Sequence, residues 1–159
     1  MMDNTVGSRL NSIKESFWAY LSGFLDGDGC ITIRIEKSKT CKLGYRARVR
    51  ISFTQHTRNR HVLDWIENQL KNGSIADYPK KHLSEYCITD SKFINRLLRG
   101  LKPYVVNKHK QLNLALQLLA LEDRFKNEIS FNQALNLANE IRGLNNYPKK
   151  NSFSSPVTT

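Results

Sequence analysis

The stretch Leu21–Gly29, LSGFLDGDG, constrains this chain more than any other. Ala19, Gly23 and Gly27 recur every four residues, which places them on one helical face where a second backbone can approach closely. Asp26 and Asp28 arrive at the expected end of that helix, each followed by a glycine that tolerates a close turn. A carboxylate beside an exposed backbone carbonyl offers two hard oxygens, the ligands that Mg²⁺ prefers. A DGDG string on its own is a common turn, so the whole stretch carries the signal. An EF-hand loop would need an acidic residue eleven positions after its first Asp; counted from Asp26 that residue is Lys37, and the EF-hand reading fails.

The 159 residues suffice for one domain with a sizeable core, expected over 12–144, between a flexible segment 1–11 and a polar, disordered tail 145–159. Lys and Arg number 25 against 14 acidic residues, a formal charge of +11. A field of that sign attracts polyanions: DNA, RNA or an anionic membrane. No stretch approaches the ~20 apolar residues that a bilayer span requires, so no membrane partner is expected. The amino terminus, MMDNTVGSRLNSIKES, lacks the apolar core of a secretory signal, although its few acids and several serines leave organelle targeting open. Cys30, Cys41 and Cys87 are odd in number and lack CxxC spacing. They read as free thiols in a reducing, intracellular compartment, organellar or prokaryotic.

The periodicity alternates helices with strand pairs. Ser12 with Glu15 fits a capping box opening a helix to about Asp26. Ile31, Ile33 and Ile35 then alternate with Thr32, Arg34 and Glu36, as in a strand. After a turn at 38–44, a second strand from Tyr45 to about Gln55 has Ala47, Val49, Ile51 and Phe53 on one face, and Arg46, Arg48, Arg50 and Ser52 on the other. His61–Leu70 is helical, with Val62, Trp65, Ile66 and Leu70 inward and a stop at Asn72-Gly73. Two short strands, Ser74–Tyr78 and Glu85–Thr89, flank a basic loop. Three helices complete the chain. Asp90 caps one that ends at Gly100, the next runs from about Lys108 to Leu121 with Leu112, Ala115, Leu116 and Leu119 inward, and Ser130 with Gln133 caps the last.

Arginines at alternate strand positions stand on one surface about 6.6 Å apart. Like charges so placed repel and add nothing to folding, which points to a polyanion. A two-stranded ribbon fits the DNA major groove, where arginine forks match guanine O6 and N7. Arg34, Arg46, Arg48 and Arg50 are the expected readers. Glu36 can accept from cytosine N4, and Thr32 and Ser52 can reach either base type. Ser74, Ala76, Tyr78, Glu85 and Cys87 of the second strand pair, with Lys80 between them, are further candidate DNA contacts, and Lys149 and Lys150 in the tail are candidate phosphate contacts. A strand of about eleven residues covers roughly ten base pairs.

Taken together, these residues resemble the LAGLIDADG homing endonucleases, whose signature has the shape small-Gly-hydrophobic-hydrophobic-Asp-Gly-Asp-Gly. The resemblance runs from about Phe17 to Leu144, with further matches at Phe53-Thr54-Gln55 and at Lys102-Pro103-Tyr104 leading to Lys108-His109-Lys110-Gln111. It implies an α+β fold of order αββαββα with extra C-terminal helices, and an antiparallel, saddle-shaped sheet over double-stranded DNA. A single signature implies a homodimer joined through Ala19, Gly23 and Gly27, with Asp28 of each subunit meeting near the dimer axis. The implied site has Asp28 and the Gly27 carbonyl as ligands of Mg²⁺, and Gln55 and Lys108 ordering water around it. Lys108 would also offset charge on the phosphate, and Asp26 would be structural. Where related proteins often carry a basic residue four positions after the glutamine, this chain has Asn59 between Arg58 and Arg60. Arg60 is the preferred replacement.

The expected activity is Mg²⁺-dependent, site-specific double-strand cleavage, the source being an intron- or intein-associated mobile element or a free-standing gene. Two alternatives use the same surface: a catalytically inactive DNA-binding repressor and a maturase that binds intron RNA.

Overall fold

The computed structural model describes residues 10–121 and 127–145. The elements are α1 (Glu15–Asp28), β1 (Gly29–Lys37), β2 (Tyr45–His56), α2 (Arg60–Leu70), β3 (Ser74–Tyr78), β4 (Leu83–Ile88), α3 (Ser91–Leu101), α4 (His109–Ala120) and α5 (Glu128–Leu144). The strands follow the order β1-β2-β4-β3, with β4 antiparallel to both β2 and β3. The chain forms two compact units. Of the described residues, one unit contains those through Cys30 together with Ile51–His109, and the other contains Ile31–Arg50 and those from Lys110 onward.

In the first unit, α1 differs at both ends from its sequence expectation. Lys14 is the N-cap and no side chain caps the helix. Ser12 is therefore not the N-cap, and the Glu15 carboxylate accepts from the Tyr104 hydroxyl at 2.9 Å. The helix also runs on to Asp28, so the first three residues of DGDG are its last turn and not a loop. It stops at Gly29, whose N–H donates to the Leu25 carbonyl. A Cβ there would lie 2.8 Å from the Leu25 Cα, a contact no side chain could relieve, so this sharp exit into β1 needs glycine.

Leu21 and Leu25 of α1, Ile51 and Phe53 of β2, Tyr86 and Ile88 of β4, and Leu63 and Ile66 of α2 are wholly buried. Phe24, Phe53 and Tyr86 stack in series at 5.4 and 6.1 Å. Trp65, expected inward, is 45% exposed and meets Phe17 and Tyr20 edge-on at 5.3 and 5.4 Å. Asp90 caps α3 as its sequence indicates, accepting from Phe93 N–H. That helix continues through Gly100, because Gly100 is a packing residue and not a terminator: a Cβ there would fall 2.6 Å from the Trp18 ring.

In the second unit, Ile31, Ile33, Ala47 and Val49 are buried, as are Leu112, Ala115 and Leu118 of α4 and Phe131, Ala134, Leu135, Ala138 and Ile141 of α5. The inward stripe of α4 thus takes Leu114 and Leu118 in place of Leu116 and Leu119. Asn127 caps α5 by accepting from Ser130 N–H at 2.8 Å, so Ser130 is already helical and does not cap. Asn145 ends the described chain, donating to the Ile31 carbonyl at 2.8 Å.

Candidate active site and nucleic-acid interface

The last turn of α1 is an acidic centre with two differently employed carboxylates. Asp28, exposed at the helix end, accepts a hydrogen bond at 2.7 Å from the side-chain amide of Gln55 near the end of β2. Asp26 instead holds the segment before α4. Its two oxygens accept from Val106 N–H at 2.8 Å and Lys108 N–H at 2.9 Å. Burial pushes the Asp26 carboxyl up, but the N–H groups of Val106, Lys108 and Asn107 and the Lys108 charge outweigh it, so the group lies below the usual carboxylate range. In return the Lys108 ammonium donates to the Asp26 carbonyl at 2.7 Å, where a cation also complements the negative end of the helix.

The donors suit a hard divalent ion. Carbonyls in a final helical turn lack intrahelical donors. In α1 the Leu25 carbonyl is taken by Gly29 and the Asp26 carbonyl by Lys108, and the next is that of Gly27. Among the described residues no group of three or more His, Cys, Asp or Glu could hold a metal. The oxygens at this helix end are the Asp28 carboxylate and the Gly27 carbonyl, donors of the kind a hard cation takes.

Arg60 is engaged elsewhere. Its guanidinium donates to Asp64 at 2.6 Å and to Asp77 at 2.9 Å, and Asp77 also accepts from the buried Ser84 hydroxyl at 2.6 Å. The Asp77 hydrogen bond is the main cause raising the Arg60 pKa, while Ser84 and then Arg60 lower that of Asp77. Two carboxylates thus compete with any phosphate for Arg60. Arg58 is exposed in the 3₁₀ turn 57–59, and among the described residues its guanidinium has no ion-pair partner. Sequence reasoning missed Asp77 and Ser84, although the alternation of Ser74, Ala76 and Tyr78 already turned Asp77 to the other face.

The strand faces bring most candidate DNA contacts together within each unit. In the first unit, Ser52 stands opposite Cys87, which stands opposite Ser74; the next row of that face is Thr54, Glu85 and Ala76, and the last is His56, Leu83 and Tyr78. Lys80 is exposed in the turn after β3, whereas Ser52, at 8% exposure, is the least accessible of these candidates. Thr54 and His56 are exposed members of the same face that the sequence reading passed over. His56 also stacks on His82 at 6.0 Å.

In the second unit, Thr32 and Arg34 flank the buried Ile33 on β1, Glu36 follows on the same face, and Arg46, Arg48 and Arg50 alternate with the buried Ala47 and Val49 on β2. The Thr32 hydroxyl donates to the Arg50 carbonyl at 3.5 Å. Glu36 lies 3.2 Å from Arg46 Nε and 3.9 Å from Arg48 Nε, so these arginines are not a bare row of repelling charges, and Glu36 is not a free acceptor. Lys149 and Lys150 lie outside the described residues. Ala19, Gly23 and Gly27 are exposed, and a Cβ on either glycine would meet nothing within 4 Å.

Known proteins are similar to this chain in sequence and fold. DNA endonuclease I-CreI of Chlamydomonas reinhardtii is 27% identical over 144 residues, covering 90% of this chain and 87% of that protein. DNA endonuclease I-CvuI of Chlorella vulgaris is 28% identical over 140 residues, covering 88% and 86%. The crystal structure of I-CvuI in complex with its target in the presence of Ca superposes with a TM-score of 0.79 at 28% identity, covering 86% of this chain and 87% of that one. I-CvuI has also been crystallised with the I-CreI target in the presence of Mg, the DNA uncleaved. The sequence profile of the LAGLIDADG endonucleases matches residues 21–119, from the signature helix through α4, and the chain belongs to that family.

Proposed function

We propose that this chain is a site-specific homing endonuclease that hydrolyses both strands of a long, pseudo-palindromic DNA target as a Mg²⁺-dependent homodimer. The observation that carries the reading is the Asp28–Gln55 pair at 2.7 Å, at the exposed end of the signature helix. The oxygen donors of Asp28 and Gly27 make half a divalent-cation site, and a symmetric partner is the simplest source of the other half. The exposed stripe of Ala19, Gly23 and Gly27 supports helix-to-helix contact between copies.

When bound, the divalent ion supplies Lewis acidity toward the phosphate and an acidified water. Asp28 would hold it, and Gln55 fixes the Asp28 carboxylate with one amide hydrogen while the other is available to orient a water. Lys108, tethered to the helix end, brings positive charge toward the phosphate oxygens as negative charge grows on them. With Arg60 committed to Asp64 and Asp77, Arg58 is the better candidate for the second cation. No helix among the described residues is long and apolar enough to cross a membrane. Cys30, Cys41 and Cys87 form no disulfide, in keeping with a reducing intracellular compartment.

The experiment is selection of cleaved sites from a randomised duplex library with Mg²⁺. Recovery of one target family of about twenty base pairs with approximate two-fold symmetry is expected. Binding without cleavage at any divalent-ion concentration would leave the chain a DNA-binding protein only.

A further inference from the structure

We infer that Glu36 is a positioning residue for base recognition, setting the Arg46 guanidinium, and more loosely that of Arg48, so that each presents its terminal fork to a base. The inference rests on the reading of the β2 arginines as base readers. Glu36 Oε2 accepts a hydrogen bond from Arg46 Nε at 3.2 Å and lies within ion-pair distance of Arg48 Nε at 3.9 Å. The three side chains are 33%, 36% and 31% exposed in the order Glu36, Arg46, Arg48, so the arginines remain reachable by a ligand.

The atom that Glu36 engages decides the consequence. A guanidinium can present two parallel donors either from its side, through Nε and one Nη, or from its end, through both Nη atoms. A carboxylate on Nε occupies the side and leaves the end. The end-on pair can match guanine O6 and N7. Holding Nε also restricts a long side chain before DNA arrives, which lowers the ordering cost of binding. The same carboxylate is poorly suited to read a base itself. It would have to leave two cations to reach cytosine N4, and it would bring negative charge toward the phosphates. Stability is a weak reason for such a pair, since exposed ion pairs contribute little to folding.

The test is selection of bound, uncleaved DNA from a randomised half-site library without divalent metal, using wild type, Glu36→Ala, Glu36→Gln, Arg46→Ala and the Glu36→Ala/Arg46→Ala double variant. Glu36→Ala is expected to relax preference roughly five- to tenfold at the pair that Arg46→Ala identifies, and less at the neighbouring Arg48 pair. Its affinity for random DNA should rise, because the face loses a negative charge. In the Arg46→Ala background, Glu36→Ala should change nothing further at the first pair. Glu36→Gln keeps the volume and an acceptor without the charge and should fall between, which preserves the test if the alanine variant folds poorly. Unchanged preferences in both Glu36 variants would overturn the inference. A loss at a third pair that persists in the double variant would also overturn it, by making Glu36 a direct reader. A wild type that enriches no sequence would instead remove the DNA-reading function, and this inference with it.

Discussion

Lys108 meets Asp26 twice: its backbone N–H donates to the Asp26 carboxylate at 2.9 Å, and its ammonium donates to the Asp26 carbonyl at 2.7 Å. The lysine that would face a phosphate is thereby set by the helix that carries Asp28. The two aspartates of the signature are consequently employed differently, Asp26 joining segments and Asp28 accepting from Gln55.

Asp28→Asn removes the charge proposed to bind the metal, with almost no change in volume. Cleavage should fall below detection while target affinity in Ca²⁺ stays within a few-fold of wild type. Comparable cleavage by the variant at saturating Mg²⁺ would take Asp28 out of the site.

Asp26→Asn should cost about 1–3 kcal/mol of unfolding free energy, the usual loss when hydrogen bonds to a charged acceptor are weakened. Its folded pKa is lowered, so the contribution is complete above the unfolded value of about 3.9 and is lost as pH falls below that through the folded value. Denaturant melts of wild type and variant should converge below about pH 4. A constant gap down to strong acid would show that the Asp26 charge is not what holds the segment.

Gly23→Leu should leave the protomer folded, because a Cβ at Gly23 meets nothing within 4 Å in the chain itself. Between two copies the larger side chain should wedge the signature helices apart. Sedimentation should show a wild-type dimer and a variant monomer at micromolar concentration, with cleavage lost alongside the dimer. A monomeric wild type bound to DNA as one copy would overturn the shared site.

Arg58→Ala and Arg60→Ala should differ in kind. With Arg60 bound by Asp64 and Asp77, its loss should lower the melting temperature and leave two carboxylates unneutralised. Arg58→Ala should slow cleavage about a hundredfold or more at unchanged stability, the scale of losing one charge-stabilising donor. Single-turnover cleavage beside thermal melts separates them. The reverse pattern would restore Arg60 as the catalytic cation.

The local pattern by itself determined the helix-and-strand order, the DGDG string, the alternating arginines and the small-residue stripe. Each depends on a period of 3.6 or 2, or on contiguous residues, so it is written along the chain. Only the tertiary structure decided how those residues are used. Glu15, expected in a capping box, has its carboxylate bonded to Tyr104, 89 positions away. Gly100 looked like a helix stop, yet the Trp18 ring needs the space that its missing Cβ leaves. Arg60 resembled a spare cation until β3 and α2 brought Asp77 and Asp64 to it. Charges and small residues look alike in sequence whether free or engaged, because their partners are chosen by the folded backbone and not by their neighbours in the chain.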